Sequence, residues 1–423
     1  MGSMIYLTLG RVQLDWGKNG RFQNHSALFR PGDLTDIPYF YAADADDPES
    51  ADLPLIRHSD NFSYRLIAEM KQGYSAPLRT VARRLLLLGH TDDYCRAEFK
   101  ALTEIGYANH DFGFDDLKAL MSSANVGAAN FRPDLGSENF DRFFAEHVVA
   151  GTEAQARLQS HSQDDGEISG LSAYTIIRLL ADNPTAQELP VTWQFADVAD
   201  GGWAPSESFE AAVRQPNRFL IVTEGTSDVQ IIKHAIELLA PDLTDFFDFV
   251  DMRENYPFSG TGSLYNFVRG LISIRIQNNV VVIFDNDAEG VFNWERSARL
   301  NRLENMRIVK LPDRSAFENF RTIGPTGEQR ADINGKAAAI ECYLDAGPEP
   351  VVRWTSYDQK RDCYQGVIEG KEEIARQFLG HKKLEPGYDY SGLEHILTML
   401  ISECVRISEA EAKATLEAEH PDG

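Results

Sequence analysis

Two apolar runs, each ending at a carboxylate, constrain the fold of this chain more than any other feature of the sequence. Residues 219–223 are followed by Glu224, and residues 280–284 are followed by Asp285 and then Asp287. An unbroken β-branched run of this length is typical of a strand buried in a parallel sheet. Because parallel strands end at the same edge of a sheet, we expect both runs to bring their acids to one place.

Three carboxylates at one sheet edge would repel one another unless a divalent cation neutralised them, and hard cations such as Mg²⁺ prefer oxygen ligands. We therefore expect Glu224, Asp285 and Asp287 to form a site for Mg²⁺ or Mn²⁺. The alternative is that these acids cap helices at strand–helix turns, which is common in α/β folds.

The middle of the chain alternates between strand patterns and helix patterns. Strands are predicted at residues 219–223, 247–250, 280–284 and 307–310, and helices at residues 227–240, 264–276 and 291–300. This alternation favours the α/β class, with a mostly parallel four-stranded sheet and helices on both faces.

The segments on either side have other patterns. Strand-like segments open the chain, and apolar residues then recur at helical spacing from about residue 59 to residue 120. Further helices are predicted at residues 336–344, 371–379 and 393–419. We therefore expect an N-terminal α+β domain rich in helices (residues 1–212), a central domain (213–384) and a helical tail (385–423).

The charge balance limits how nucleic acid could bind. The chain carries 41 Lys and Arg against 65 Asp and Glu, a net charge of −24. Because this charge repels phosphate backbones at long range, a nucleic-acid role depends on local basic patches. The candidate set lies close to the acids in sequence and consists of Lys310, Arg314, Arg321, Arg330 and Lys336.

Cysteine use and hydropathy indicate the compartment. The four cysteines are far apart and lack zinc-ligand spacing, which fits reduced thiols inside a cell. No apolar run approaches the roughly 20 residues that span a bilayer, and the N-terminus lacks the pattern of a secretory signal. We expect a cytoplasmic protein with no membrane partner.

The order of these acids closely resembles the Toprim domain, which topoisomerases, primases and certain nucleases share. Glu224-Gly225 follows one strand and Asp285-x-Asp287-x-x-Gly290 follows another, so the resemblance covers residues 218–311. It implies a Toprim-type sheet in which Glu224, Asp285 and Asp287 bind Mg²⁺ or assist acid–base chemistry.

Additional residues resemble the nuclease branch typified by the OLD (overcoming lysogenization defect) family. Asp228 follows Glu224 by four residues, so it can approach the same ion from the first helical turn. Glu341 resembles the later helical acid of that branch, and Lys371 lies where a late catalytic lysine would be. The resemblance implies two metal positions, with Glu224, Asp228, Asp285, Asp287 and Glu341 as ligands and Lys371 as a catalytic residue.

The rest of the chain departs from the OLD family and resembles another group. OLD enzymes carry an ATPase module, and this sequence contains no GxxxxGK[ST] motif. The N-terminal part instead resembles the HEPN/Toprim-associated proteins of bacteria, a group implicated in defence against phage. HEPN ribonucleases pair an arginine with a nearby histidine, and Arg84 with His90, or Arg83 with His90, has suitable spacing. The alternative is that His90 is simply a cationic residue at a helix end.

These observations predict a Mg²⁺-dependent Toprim-type nuclease that acts on DNA or RNA in bacterial anti-phage defence. The main alternative is a non-catalytic regulatory or assembly protein that uses the Toprim scaffold to bind a protein partner or a second copy of itself. A further alternative is a metal-independent HEPN ribonuclease.

Overall fold

The computed structural model describes residues 2–44, 52–53, 55–59, 62–104, 113–129, 138–149, 170–250, 261–358 and 363–420. The chain forms two compact units. The first consists of Met1–Val213 and Glu409–Gly423, and the second of Arg214–Ser408.

The described part of the first unit contains a seven-stranded sheet, whose strands are β1 Met4–Leu9, β2 Val12–Lys18, β3 Leu34–Asp44, β4 Leu55–Ser59, β5 Phe62–Pro77, β6 Glu138–Asn139 and β7 Pro190–Gln194. Their order in the sheet is β3-β5-β7-β1-β2-β6, with β4 paired to β5. Its helices are α1 Leu78–Leu87, α2 Asp92–Glu104, α3 Phe114–Ser123, α4 Phe140–Phe143, α5 Ala173–Leu180 and α6 Ala196–Asp200.

The predicted helix over the first part of residues 59–120 is wrong. Residues Phe62–Pro77 form the long strand β5, which pairs with all eleven residues of β3, from Leu34 opposite Tyr74 to Asp44 opposite Tyr64. The ladder of β3 decides the conformation, because strand preference depends on cross-strand partners more than on the segment itself. Helix begins only at Leu78, directly after Pro77.

The core of the first unit lies between this sheet and its helices. Trp193 of β7, Leu85 of α1 and Ile177 of α5 are completely enclosed in one apolar cluster. At roughly 1.5–3 kcal/mol for each fully buried large side chain, this cluster is the main source of stability of the unit.

The second unit is built on a four-stranded parallel sheet in the order β12-β10-β8-β9. Its strands are β8 Phe219–Val222, β9 Phe247–Phe249, β10 Asn279–Phe284 and β12 Met306–Lys310, while β11 Asn286–Asp287 is a short extension beyond β10. Its crossover helices are α7 Thr226–Leu239, α8 Thr261–Ser273 and α9 Ala288–Ala298. The predicted parallel sheet is therefore confirmed.

Helices α8 and α9 cover one face of this sheet. Leu264 and Val268 of α8 and Trp294 of α9 pack against Val282 and Ile308 of the strands. The step from β8 to β9 runs across the sheet in the opposite direction to the steps from β9 to β10 and from β10 to β12. Because such crossovers are right-handed, α7 lies on the other face.

Two additional strand groups, one further helix and the first part of a long C-terminal helix complete the second unit, which ends at Ser408. The sequence did not predict the mixed sheet of β13 Phe320–Gly324, β14 Gly327–Ala331, β16 Val351–Asp358 and β17 Cys363–Ile368. The predicted helix at residues 336–344 is wrong, because Ala337–Ala338 form strand β15 beside β11 and Ile340–Tyr343 form a single 3-10 turn. Helices α10 Lys371–Leu379 and α11 Ser391–Glu419 follow the prediction closely.

In the described part of the chain, no helix has both the length and the apolar character to cross a lipid bilayer.

Candidate metal centre

Glu224 and Asp228 lie where β8 passes into α7. Glu224 is two residues beyond the end of β8, and its Oε1 accepts a hydrogen bond of 3.3 Å from the backbone N–H of Asp285. Asp228 lies in the first turn of α7, where its carboxylate accepts bonds from the N–H of Gly225 at 2.9 Å and from the Ser227 hydroxyl at 3.2 Å. These two bonds engage both carboxylate oxygens of Asp228 and so orient the group.

Asp285 and Asp287 follow β10 at the same sheet edge. The Asp287 carboxylate caps α9 by accepting a bond of 2.6 Å from the N–H of Gly290. At Gly290 an added Cβ would overlap the backbone of Asp285, so only glycine lets the helix approach this closely. The two aspartates are thus fixed by the strand end and by the start of α9.

Glu341 and Lys371 come from later segments. Glu341 is buried in the 3-10 turn after β15, and β15 pairs with β11, which contains Asp287. Lys371 is the first residue of α10 and is exposed. The positive charge of Lys371 acts on the Asp228 carboxyl group and lowers its pKa, against the rise that burial causes. All six predicted site residues therefore belong to one electrostatic neighbourhood.

The pKa values of Glu224 and Asp285, which are half-buried, respond to the neighbouring acids. Burial raises the pKa of Glu224 from 4.5 to about 8, and the charge of Asp287 adds to the rise. Burial and then the negative charges of Asp228 and Glu224 raise the pKa of Asp285 well above its usual range. Asp285 is therefore the centre of the cluster.

Asp228 links this centre to the later acid. Burial raises the pKa of Asp228 to about 6, and Glu341 adds to the rise, while the N–H of Gly225 and the charge of Lys371 oppose it. Glu289, which the sequence analysis did not single out, also raises the pKa of Glu224. Its position between Asp287 and Gly290 in the sequence could have indicated that Glu289 lies near the other acids.

The donor chemistry of this cluster fits a hard divalent cation, because every donor is a carboxylate oxygen. The negative charges of the acids repel one another, and a cation would neutralise them. Among the described residues, however, no three His, Cys, Asp or Glu side chains are arranged so that they could hold a metal ion. Three of the acids instead accept backbone N–H bonds. The fit therefore concerns donor type and charge, and no ion position is assigned.

Asn286 lies between the two aspartates and forms hydrogen bonds to several segments, although the sequence did not predict it as a site residue. Its side chain is completely buried. Its Nδ2 donates to Asp313 Oδ1 at 2.9 Å, and its Oδ1 accepts from Lys310 Nζ at 2.9 Å and from the N–H of Gly335 at 2.9 Å. These hydrogen bonds link the end of β10 to the end of β12 and so hold in place the backbone between the two aspartates.

The five basic residues proposed as a substrate track are engaged by neighbouring groups. Lys310 pairs with Asp313, Arg321 with Glu328 and Lys336 with Asp332. Arg314 donates to the Ser391 hydroxyl, and Arg330 donates to the carbonyl of Asn319. These residues belong to the framework of the second unit.

The HEPN alternative depends on Arg84 and His90, and both are held inside the first unit. The Arg84 side chain is completely buried and donates to the carbonyls of Ala27 and Phe29. Burial lowers the pKa of His90 to about 4, so its imidazole is neutral at physiological pH. The Arg84 guanidinium is therefore engaged by backbone carbonyls, whereas the Arg83 side chain is exposed and would act with the same neutral His90.

The family model for HEPN/Toprim N-terminal domain 1 matches residues 1–217, which is just over half of the 423 residues. No curated protein and no solved structure gives a match.

Proposed function

The chain belongs to the HEPN/Toprim N-terminal domain 1 family, and we propose that it acts within this family as a Mg²⁺-dependent Toprim-type nuclease. The substrate is DNA or RNA, and the biological role is bacterial anti-phage defence. The family match ends at residue 217, so the Toprim assignment of the second unit depends on that unit's own residues.

The observation that carries the proposal is the assembly of five acids from three separate segments at one edge of a parallel sheet. Burial and mutual charge raise the pKa of Glu224, Asp228 and Asp285. A protein that buries carboxylates together without a cation loses stability from their repulsion. Such a cluster beside strand ends is typical of a functional site rather than of a packing device.

The proposed roles follow from position and exposure. Among the described residues no three of these acids are arranged to hold an ion, so Glu224, Asp228, Asp285, Asp287 and Glu341 would hold two Mg²⁺ or Mn²⁺ ions only after their side chains turn toward shared positions. Two bound ions would supply an activated water and neutralise charge on the phosphate. Lys371 is exposed, and no described carboxylate forms an ion pair with it, so it is available to a phosphate oxygen. Glu224, with its pKa raised to about 8, can carry a proton near neutral pH.

The test is cleavage of plasmid, single-stranded DNA and RNA with Mg²⁺ or Mn²⁺. The Asp285→Ala/Asp287→Ala variant is expected to lose at least about 100-fold in rate, as for lost metal support. The matched control is Glu394→Ala/Glu411→Ala, which removes two exposed acids from α11 and should leave the rate unchanged.

Two results would contradict the nuclease proposal. A wild-type protein that cleaves none of the substrates in either metal, yet binds a protein partner tightly, is a regulatory or assembly protein. RNA cleavage that persists in EDTA and disappears in His90→Ala would instead indicate HEPN chemistry.

A further inference from the structure

Helices α8 and α9 and the loops that follow them carry five arginines that form no ion pair with an acid in the part of the chain that the structure describes. All five side chains are exposed, and no ion pair joins any of them to a described acid. We call this set the arginine stripe, and it consists of Arg269, Arg275, Arg296, Arg299 and Arg302.

On a strongly acidic protein, arginines that form no ion pair with a described acid are unusual. The chain has a net charge of −24, so acids are plentiful. Elsewhere in the second unit arginines find them, as in the pairs of Arg218 with Asp248, Arg353 with Glu369 and Arg376 with Glu373. A group of exposed cations that form no ion pair with a described acid favours an anionic ligand.

Aromatic rings lie among these guanidinium groups. Arg296 of α9 lies over the ring of Tyr265 of α8, with 4.0 Å from its Cζ to the ring centroid, and 5.4 Å from the ring of Phe292. Arg269 lies 5.9 Å from the same Tyr265 ring. The Phe292 ring is exposed and the Tyr265 ring is half-buried. Nucleic acids bind surfaces that combine arginine with accessible aromatic rings, since phosphates meet the charge and bases meet the rings.

The arginine stripe leads away from the carboxylate cluster. Helix α9 begins at Ala288, directly after Asp287. Phe292, Arg296 and Arg299 then follow at spacings of four and three, which places them on one side of the helix. At 1.5 Å per residue, the distance along the helix from Ala288 to Arg299 is about 16 Å, the axial length of roughly five nucleotides of a duplex strand.

The far end of the arginine stripe is also a concentration of positive charge. Asn305 donates to the carbonyl of Ile276 at 2.9 Å, which brings the loop that carries Arg275 beside the loop that carries Arg302. Burial and then the charge of Arg302 lower the pKa of Arg307. The positive surface therefore extends over the edge of the sheet opposite the acids.

We propose that the arginine stripe binds the phosphodiester backbone of a nucleic acid and leads it to the carboxylate cluster. The inference rests on the proposed nuclease function for the identity of the ligand, but binding can be measured without cleavage. An acidic protein is the competing ligand, and the interleaved rings and the direct path to the acids favour nucleic acid.

The test measures binding of the full chain to a fluorescein-labelled DNA duplex and to single-stranded DNA and RNA by fluorescence anisotropy in EDTA. If all five arginines contact phosphates, log Kd changes with log salt with a slope of about 4.5 for duplex and about 3.5 for single strands. For the duplex this is a loss of about 500-fold in affinity between 50 and 200 mM salt.

The variant Arg296→Gln/Arg299→Gln/Arg302→Gln is expected to reduce the duplex slope by about 2.7, leaving a loss of only about 12-fold over the same salt range. The control is Arg376→Gln, an arginine that is 70% exposed but paired with Glu373. It removes a cation from α10 and should leave the slope unchanged. A thermal melt of each variant checks that the fold is intact.

Each outcome separates this proposal from the nuclease proposal. Binding with the predicted slope but no cleavage in Mg²⁺ or Mn²⁺ supports the arginine stripe and overturns the nuclease. Cleavage that is equal in the triple variant and the wild type overturns the arginine stripe and leaves the nuclease. Binding of poly-glutamate but of no nucleic acid, lost in the triple variant, would assign the surface to an acidic protein and overturn the proposal.

Discussion

Asp285 shows how single residues at the sheet edge depend on one another. Its pKa is raised first by burial and then by Asp228, Glu224, Asp287 and Glu341. A carboxyl group in this position either holds a proton or requires a cation. Burial and neighbouring negative charge also raise the pKa of Glu224. Proton uptake and metal binding therefore compete for the same carboxylate oxygens.

This competition predicts the effect of pH on stability. Because Glu224 and Asp228 have pKa values raised to about 8 and about 6, the folded protein binds more protons than the unfolded chain between about pH 4 and 8. Their contribution to stability is present at low pH and is lost as pH rises through that range. In EDTA, the Tm is expected to fall by about 4 °C or more between pH 5 and pH 8.

Calorimetry or dye-based melting measures this change. In Glu224→Gln/Asp285→Asn the fall should be smaller, and Mg²⁺ should raise the wild-type Tm more at pH 8 than at pH 5. Equal pH dependence in the variant and the wild type would contradict the prediction.

At the scale of elements, the turn from β10 into α9 organises the site. It places Asp285 at the strand end and Asp287 at the helix cap, and it buries Asn286 between them. The close approach of the helix to the strand is possible only because Gly290 has no side chain. The position of two carboxylates therefore depends on one glycine.

Replacing that glycine is expected to separate the helix from the strand. Gly290→Ala should cost about 1–3 kcal/mol in the free energy of unfolding, because its Cβ would overlap the backbone of Asp285. The control is Gly270→Ala in α8, where an added Cβ meets nothing within 4 Å. That change should be neutral or stabilise by about 0.5–1 kcal/mol. Urea unfolding compares the two, and an equal effect would show that the overlap is unimportant.

At the scale of the whole molecule, charge is the dominant feature. The net charge of −24 repels phosphate at long range and also repels itself. The acids of the site add to this charge, while the arginine stripe concentrates positive charge on one face of the second unit. Overall charge and local binding surface therefore have opposite signs.

Self-repulsion predicts that salt stabilises the protein. Raising NaCl from 10 to 150 mM shortens the Debye length from about 30 to about 8 Å, which screens long-range repulsion more than it weakens close ion pairs. In EDTA, the Tm of each unit is expected to rise by about 2–4 °C, equivalent to about 1 kcal/mol for a unit of roughly 200 residues. Sucrose at matched osmolality serves as the control, and a Tm that falls with salt would show that attractive pairs dominate.

The two apolar runs were enough to predict the parallel sheet and the common edge of Glu224, Asp285 and Asp287, because a buried strand is recognisable from its continuous apolar residues. It also located α10 and α11, whose apolar spacing is regular. The assignment of Ser59 to Pro77 and of residues 336–344 to helix failed. In both places the partner strand decides the conformation, and its pairing does not show in the segment's own sequence.

Which charged residues form ion pairs and which remain available depends on packing between distant segments, so it could not be predicted. Lys310 and Arg321 lie near the acids in sequence but are paired, whereas Arg296 and Arg299 are exposed on the helix that begins at the site. Residue type and spacing do not reveal ion pairing, because partners come from segments far apart in the chain. The acids were predictable because strands carry them to one edge, and the cations were not, because only packing selects their partners.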